Sequence, residues 1–154
     1  MDEAPCGYDH SPAGRDLLVR YGPSLKVDFG FDPDFVAGFG EIPKLGLKGL
    51  DALIDTGAHD SYIDNSLVDE LGLPLIDQDT ASTALGTERV NIHLGQIYVV
   101  ALRRLIYGRF AAVNLRENGI EFDVLLGRTF LRDYVFTYDG TTGRAAIGRP
   151  VPKS

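Results

Sequence analysis

Cysteine is almost absent from this 154-residue chain, which contains only Cys6. An intrachain disulfide and a four-cysteine metal site are therefore excluded, and Cys6 is interpreted as a free thiol. The three histidines, His10, His59 and His93, lack the i, i+4 spacing with which zinc proteases bind their metal on a helix. The sequence therefore indicates no metal site.

Basic charge and long apolar runs are also scarce. The chain has 15 Lys and Arg residues against 22 Asp and Glu residues, a formal net charge of −7, which argues against nucleic acid or an anionic membrane as a partner. No apolar run approaches the roughly 20 residues that span a bilayer. The acidic start lacks the basic and apolar regions of a signal peptide, so the expected compartment is the cytoplasm.

Helical periodicity long enough for a bundle is absent, as is the regular strand–helix alternation of a parallel α/β sheet. The chain instead has 18 glycines and 8 prolines, which supply the many turns of an all-β protein. Eight to ten short strands and one or two short helices are predicted. The expected organisation is a partly flexible N-terminal arm at residues 1–22, one domain at 23–150 and a tail at 151–154.

Apolar alternation and turn residues locate the predicted elements. Leu25, Val27 and Phe29 alternate with polar residues, as in a half-buried strand. A hairpin is predicted from Ile42 through Gly46 or Gly49 into the apolar run that ends at Ile54. A short helix is predicted with Asn65 or Ser66 as its N-cap and Gly72 at its end. The other predicted strands lie at residues 80–85, 88–94, 96–102, 109–115, 122–126, 135–138 and 144–147, with a link at 103–108 and a brief helix at 128–133.

The most informative stretch is Leu53-Ile54-Asp55-Thr56-Gly57-Ala58. A strand that ends in this way can hold a carboxylate at the floor of a cleft, with the Thr56 hydroxyl bracing the turn. Gly57 allows close backbone approach and dihedrals that are closed to other residues. Two carboxylates that share a proton can activate water. Because the chain has one such turn, the second carboxylate is expected from a second chain.

A second aspartate turn, Asp139-Gly140-Thr141, resembles the first with its glycine and threonine exchanged. Its approach, Thr137-Tyr138, is less apolar, and strand-like residues follow it at once. We interpret it as a hairpin turn, so an internal pseudo-dimer is not expected.

Three segments occur in order: the aspartate turn at 53–58, a glycine-tipped hairpin near Gly86, and Val124-Leu125-Leu126-Gly127-Arg128. Together they resemble the retropepsin-like aspartic proteases, which are the retroviral proteases and their bacterial and eukaryotic relatives, over residues 25–148. The resemblance implies a small closed β-barrel and a homodimeric endopeptidase in which each subunit supplies one aspartate. It further implies a peptide or protein substrate and no metal or organic cofactor.

The resemblance also implies a role for each site residue. Asp55 is the catalytic carboxylate, and Thr56 bonds the partner's backbone across the dimer axis. Gly57 and Ala58 shape the floor of the cleft. The flap over the substrate is formed by Ala84, Leu85, Gly86 and Thr87, and the apolar substrate pockets are lined by Ile54, Leu85, Val124 and Leu126. Arg128 is expected to pair with an acidic residue or bridge subunits, outside the chemistry.

Each of these residues has a plainer interpretation beside the catalytic one. Asp55 can be a turn aspartate that bonds nearby amides, as is common, and Thr56 an ordinary buried threonine at a strand end. The hairpin at Gly86 can be a plain surface hairpin, and Val124-Leu125-Leu126 is expected to belong to the core under either interpretation. The competing function is a binding or scaffold domain that keeps the barrel without proteolysis.

Overall fold

The computed structural model describes residues 3–38, 42–83 and 86–151. Across those ranges the chain forms ten strands, three short α-helices and one 3₁₀ turn. The strands are β1 (Glu3–Pro5), β2 (Ser24–Gly30), β3 (Leu47–Ile54), β4 (Ser61–Asp64), β5 (Leu75–Thr83), β6 (Gly86–Val99), β7 (Arg104–Val113), β8 (Val124–Leu126), β9 (Val135–Asp139) and β10 (Arg144–Gly148). The helices are α1 (Gly14–Tyr21), α2 (Asn65–Leu71) and α3 (Arg128–Leu131), and the 3₁₀ turn is Val100–Leu102. No helix of the described ranges is long and apolar enough to cross a membrane.

Six of the strands form a closed barrel. Neighbouring strands follow the order β2-β3-β8-β4-β7-β6, and β6 pairs in turn with β2, which closes the ring. β5 continues the sheet outside the ring as the antiparallel partner of β6. The predicted fold class, a small closed all-β barrel with short helices, is confirmed. The described ranges contain three α-helices where the sequence indicated one or two.

One face of each barrel strand fills the interior. The alternation predicted in β2 is confirmed, because Leu25, Val27 and Phe29 are 3%, 0% and 0% exposed. Phe29 meets Phe110 of β7 edge to face, with ring centroids 5.0 Å apart. Each fully buried apolar side chain contributes about 1.5–3 kcal/mol relative to an exposed one. This interior face therefore holds the barrel closed.

The N-terminal segment carries two elements that the sequence did not indicate, β1 and α1. β1 pairs antiparallel with β10, which pairs with β9 in a second sheet. Cys6 follows β1 and is only 4% exposed. Burial raises the pKa of its thiol to about 12. A thiol with this pKa stays protonated and behaves as a core group instead of a nucleophile.

The hairpin predicted to start at Ile42 does not form. β3 begins at Leu47, and its antiparallel partner is β2, which precedes it by a long loop. Pro43 has no N–H to give to a strand ladder, and the Lys44 N–H donates to Asp32 Oδ2 at 2.9 Å. The Lys44 N–H is therefore bonded to the loop residue Asp32 and not to a neighbouring strand.

The link predicted at residues 103–108 is a tighter turn placed earlier in the chain. β6 runs on to Val99, the 3₁₀ turn follows, and β7 begins at Arg104. Arg103 adopts a left-handed φ of 50°, which lets the chain reverse direction there. Residues other than glycine adopt this conformation rarely, so the residue type did not indicate the turn.

The N-cap of helix α2 lies one residue before Asn65, the earlier of the two predicted caps. The Asp64 carboxylate accepts the N–H of Ser66 at 3.1 Å and the Ser66 hydroxyl, so Asp64 is the N-cap. Gly72 ends the helix with a φ of 62°, as predicted. Desolvation on its own would raise the pKa of Asp64, but hydrogen bonds from Ser66 and the Arg116 N–H outweigh it and lower this pKa. Asp64 therefore stays ionised at the end of β4.

Candidate active site

Asp55 lies where β3 leaves the barrel. β3 and β8 run parallel with Ile54 opposite Leu126, and the Asp55 N–H donates to the Leu126 carbonyl at 2.9 Å. The chain then turns sharply, since the Ala58 N–H donates to the Asp55 carbonyl at 3.3 Å. Two parallel strands therefore fix the point at which Asp55 enters the turn.

Gly57 places the carboxylate of Asp55. Its N–H donates to Asp55 Oδ1 at 2.9 Å, and a Cβ on Gly57 would stand 3.2 Å from the same oxygen. Gly57 does not adopt a positive φ. Glycine is therefore favoured here by close approach, and the unusual dihedrals that the sequence also allowed are not used.

Arg128, the first residue of α3, holds the turn from the side. Its N–H donates to the Ala58 carbonyl at 2.9 Å, and its Nη1 donates to the Thr56 carbonyl at 2.8 Å. The next residue, Thr129, donates its N–H to the His59 carbonyl at 3.1 Å. Within the described residues the guanidinium bonds a backbone carbonyl, whereas the sequence indicated an acidic partner or a contact between subunits.

Gly127 allows β8 and α3 to pass directly behind the turn. A Cβ at this position would collide with the Asp60 carbonyl oxygen and stand 2.8 Å from the Ala58 carbonyl oxygen. The Gly127 N–H donates to Ser61 Oγ at 3.2 Å, and Ser61 is only 5% exposed. The glycine of the Leu-Leu-Gly-Arg segment is therefore required by contact with the aspartate turn.

The turn is open to solvent in one chain. Asp55 is half-buried, and Thr56 and Gly57 are exposed. Within the part of the chain that the structure describes, neither Asp55 Oδ2 nor the Thr56 hydroxyl makes a hydrogen bond. One carboxylate oxygen is therefore held by Gly57, and the other is available to a ligand or a second protein chain.

The β5–β6 hairpin carries the residues predicted as a flap. Thr83 pairs with Gly86, which adopts a φ of 123°, and Thr87 follows in β6 as an exposed residue. Ala84 and Leu85, the other predicted flap residues, lie outside the described residues. The hairpin is longer than predicted, because β5 starts at Leu75 and β6 continues to Val99.

Three of the four residues predicted to line the substrate pocket face the barrel interior, and their assignment needs correction. The fourth, Leu85, lies outside the described residues. Ile54, Val124 and Leu126 are 4%, 0% and 1% exposed, so Val124 has no surface to offer a substrate. Successive residues of a strand point to opposite faces. Leu53 therefore shares a face with Asp55, and Ile54 supports the turn from below.

A row of neighbouring side chains crosses the outer face of the sheet. Strand pairing places Leu53 opposite Leu125, Leu125 opposite Tyr62, Tyr62 opposite Ala111 and Ala111 opposite Ile92. Tyr62 packs against a small apolar cluster that includes Ala111 and Ile92. The row leads from the strand that ends at Asp55 to the stem of the hairpin. Counting back by two residues from Asp55 along β3 could have placed Leu53 on this face from the sequence.

Charged groups follow the turn directly. His59 Nδ1 and Asp60 Oδ1 lie 2.9 Å apart. Burial raises the pKa of Tyr62, and the carboxylates of Asp60 and Asp55 raise it further. The described residues contain no group of three or more His, Cys, Asp and Glu side chains that could hold a metal.

The second aspartate turn is a hairpin turn, as predicted. Asp139 ends β9 opposite Arg144, the first residue of β10. Asp139 Oδ1 accepts the N–H and the hydroxyl of Thr141. The turn therefore closes a surface hairpin.

Comparison with known proteins identifies a family by sequence. A family model described as aspartyl protease matches residues 44–130, more than half of the 154 residues. The matched region contains both Asp55 and Gly127-Arg128. No curated protein matches the chain.

Solved structures similar to this chain include two viral proteases and one retroviral protease-like domain. The Simian Foamy Virus (mac) protease has 13% identity and a TM-score of 0.45, over 71% of this chain and 91% of that chain. The EIAV protease, solved with an inhibitor, has 18% identity and a TM-score of 0.47, over 72% and 86%. The retroviral protease-like domain of Ddi1 from Leishmania major has 16% identity and a TM-score of 0.40, over 75% and 78%.

Proposed function

This chain belongs to the aspartyl protease family, and we propose that two copies of it form an aspartic endopeptidase that hydrolyses peptide bonds. Each copy supplies one Asp55 to a shared active site. The observation that carries this proposal is the hydrogen bonding of the Asp55 turn within a single chain. Gly57 and Arg128 hold it rigidly, whereas Asp55 Oδ2 and the Thr56 hydroxyl remain without protein partners among the described residues.

Two Asp55 carboxylates within hydrogen-bonding distance cannot both ionise easily, so the pair retains one proton. Sharing one proton gives the two Asp55 residues different roles, although the two subunits are identical in sequence. The ionised carboxylate is the general base, and the protonated one is the acid. Thr56 bonds the partner's backbone across the axis and keeps the two turns in register.

The reaction follows from that division of tasks. A water between the carboxylates gives a proton to the ionised Asp55 as its oxygen bonds the scissile carbonyl carbon. The protonated Asp55 donates its proton to the developing oxyanion, which stabilises the tetrahedral intermediate. When the carbon–nitrogen bond breaks, the leaving nitrogen takes a proton from one Asp55 and a hydroxyl of the intermediate returns a proton to the other. The carboxyl group of the new C-terminus is released, and the dyad again holds one proton.

The substrate lies extended between the turn and the β5–β6 hairpin, where main-chain hydrogen bonds align it as an added strand. Ala84, Leu85, Gly86 and Thr87 cover it as a flap. Ala58 offers backbone groups at the floor, and the outer face that carries Leu53 contacts the side chains of the substrate. Ile54 and Leu126 do not contact the substrate; they pack in the barrel core and support the turn.

The proposal is tested by digesting a peptide library over a range of protein concentrations, with sedimentation measured in parallel. A shared site predicts that cleavage per chain rises with concentration and levels off where sedimentation shows the dimer. A statine-type inhibitor should also raise the melting temperature by mass action.

Two results would contradict the proposal. A protein that is monomeric at micromolar concentration yet cleaves peptides would exclude the shared site. A dimer that cleaves nothing and is not stabilised by the inhibitor would favour the alternative, a binding or scaffold domain.

A further inference from the structure

One side of β7 has no strand beside it over most of its length. β6 pairs with residues 104–112 on one side. On the other side β4 pairs only with residues 110–113, where Ser61 stands opposite Phe110. Among the described residues, no strand pairs with residues 104–109 on that side. We call this segment the open edge, because its alternate N–H and C=O groups point away from β6 with no strand to bond them.

The open edge exists because the chain that would cover it belongs to the aspartate turn. β4 runs parallel to β7, so residues 58–60 would lie beside the open edge if β4 extended backward. The Ala58 and His59 carbonyls instead accept the N–H groups of the first two residues of α3. The turn that positions Asp55 therefore draws the chain away from β7.

A cavity of about 580 Å³ lies along the open edge. Arg104 and residues 106–109 line it on one side, and α3 and the residues that follow it line the other. Ile106, Phe130 and Tyr134 give the cavity apolar walls. Its volume falls within the range of about 300–1,000 Å³ that is typical of ligand sites. The open edge is therefore accompanied by space for an apolar side chain.

The cavity is continuous with the proposed active site. His59, Asp60 and Ser61 follow the aspartate turn directly and line the cavity. Ile92 of the β5–β6 hairpin also lines it and stands opposite Ala111, at the same end. A polypeptide held between the turn and the hairpin can therefore pass directly from the cleft onto the open edge.

The far end of the cavity carries a positive charge without a partner. Arg104, the first residue of β7, is half-buried and makes no ion pair or hydrogen bond among the described residues. Arg109 is already paired with Asp77 at 2.9 Å, and the two neighbours Arg132 and Asp133 contribute opposite charges to the α3 wall. Arg104 is therefore the group along the open edge that an acidic ligand would satisfy.

We propose that the open edge binds, as an added strand, a segment of the polypeptide substrate that lies outside the cleft. The segment is extended, places an apolar side chain against Ile106, and ends in a glutamate or aspartate that pairs with Arg104. Asp60 and Asp79 line the cavity near the turn and disfavour a further acidic residue there. This inference rests on the proposed function and deepens it by naming a second contact with the same substrate.

The kinetic consequence follows from the distance between the open edge and the scissile bond. A contact that is the same in the ground state and the transition state lowers KM and leaves kcat unchanged. The competing interpretation is that charged side chains merely guard an exposed strand against pairing, as they do on many sheet edges. That interpretation predicts no binding of an added segment.

The test compares a short peptide that is cleaved in a library digest with the same peptide carrying an extension of about six residues, the length of the open edge. The extension alternates threonine and valine, ends in glutamate away from the scissile bond, and is joined by a flexible glycine-serine linker. One substrate carries it at the N-terminus and another at the C-terminus, because an edge can pair with either chain direction. One of the two should show a KM at least about tenfold lower than the short peptide, with kcat within about twofold.

Two changes examine how the extension binds. Methylating every second amide nitrogen of the extension blocks one of its sides, and methylating the other set blocks the opposite side. One set should abolish the gain in kcat/KM and the other should preserve it. Arg104→Gln should reduce the gain at least about threefold. Arg15→Gln is the control for lost charge, since Arg15 is exposed on α1 and does not line the cavity.

Melting temperatures establish that both variants are folded. A short peptide that is cleaved with no gain from either extension would overturn the inference and leave the proposed function standing. A gain that survives both patterns of methylation, or is unchanged in Arg104→Gln, would also overturn it. An extension that binds as a separate peptide in fluorescence anisotropy, but gives no gain when linked, would assign the open edge to a different partner and refute the substrate assignment. If even the short peptides are not cleaved, the proposed function fails and this inference fails with it.

Discussion

The chain contains two aspartate turns that are nearly alike in their local hydrogen bonding. Asp55 Oδ1 accepts the N–H of Gly57 at 2.9 Å, and Asp139 Oδ1 accepts the N–H of Thr141 at 2.9 Å. Asp55 directly follows β3, and Asp139 is the last residue of β9. The bond that braces the turn is therefore shared and does not distinguish a candidate catalytic carboxylate from a structural one.

The surroundings of the two turns differ. Asp55 is tied to the parallel strand β8 through Leu126, and Arg128 bonds the turn from the side. Asp139 ends one strand of a surface hairpin, which the Gly143 N–H closes by donating to the Asp139 carbonyl at 3.0 Å. The hydroxyl of Thr141 also bonds the Asp139 carboxylate. Asp139 has neither a parallel strand nor an arginine bonded to its turn, and the comparison teaches that this support from the barrel marks the candidate site.

The largest expected difference between the two turns is in catalysis. Asp55→Asn should lower kcat/KM by roughly 10²- to 10⁴-fold or more, because it removes a group that moves protons in the transition state. Asp139→Asn should leave cleavage unchanged. Peptide cleavage and thermal melts on both variants make the measurement. Loss of activity in both to the same extent, with both folded, would break the distinction.

The next difference is in packing. Gly127→Ala places a Cβ against the Asp60 and Ala58 carbonyls, and overpacking of this kind costs about 1–3 kcal/mol. Gly140→Ala is the control, because its Cβ would meet only a Tyr138 side-chain carbon at 3.5 Å. Urea unfolding should therefore show a loss of stability for the first variant and little change for the second. Equal stability of the two would show that β8 can move away from the turn without cost.

A smaller effect on kcat is expected from replacing Arg128, which bonds the Asp55 turn and has no counterpart at the Asp139 turn. Arg128→Met removes the donor to the Thr56 carbonyl and should lower kcat by about two- to tenfold, in line with one lost hydrogen bond. Arg128 is exposed, so the free energy of unfolding should change by no more than about 0.5 kcal/mol. Arg132→Met, in the next turn of the chain, is the control for lost charge. A fall in kcat of the same size in that control would assign the effect to net charge and not to the turn.

The smallest expected effect concerns the pH dependence of stability at the structural turn. Hydrogen bonds from the Thr141 hydroxyl and N–H lower the pKa of Asp139 below its ordinary value of 3.8. A carboxyl group with a lowered folded-state pKa stabilises the fold above its unfolded pKa, and this contribution is lost as the pH falls through the lowered value. Asp139→Asn should therefore be slightly less stable than wild type at neutral pH, with the difference shrinking below pH 3.8. A difference that stays constant in acid would mean that the ionised form is not what stabilises the hairpin.

Local signals were enough to predict much of the fold. The aspartate turn, the buried strand ending at Gly127 and the short helix after it are each marked by residues whose effect is local. The same is true of the closing hairpin at Asp139 and the end of α2 at Gly72. Apolar alternation in β2 gave the correct inward face because polar residues separate Leu25, Val27 and Phe29.

The substrate-facing side of the site could not be predicted in the same way. Leu53 and Ile54 are both apolar, so the run that leads to Asp55 carries no alternation from which to read its faces. A shift of one residue exchanges the two faces of a strand completely. Counting back from Asp55 by two would have selected Leu53, and strand pairing then adds Leu125 and Tyr62.

Other missed features depend on partners that are distant in sequence. β1 forms a strand because it pairs with β10, and its three residues show no alternation from which a strand could be predicted. Arg128 bonds a carbonyl 72 residues earlier in the chain, and no local signal connects the two. The turn at Arg103 rests on a backbone conformation that its residue type disfavours.

Mixing wild type with Asp55→Asn at a fixed total concentration, after subunits have exchanged, tests the shared site most directly. If each site takes one aspartate from each subunit, every mixed dimer is inactive, and an equal mixture retains about a quarter of the wild-type activity. That is the result we predict. An equal mixture that retains about half, with activity falling in proportion to the wild-type fraction, would contradict it by showing that each chain carries a complete site.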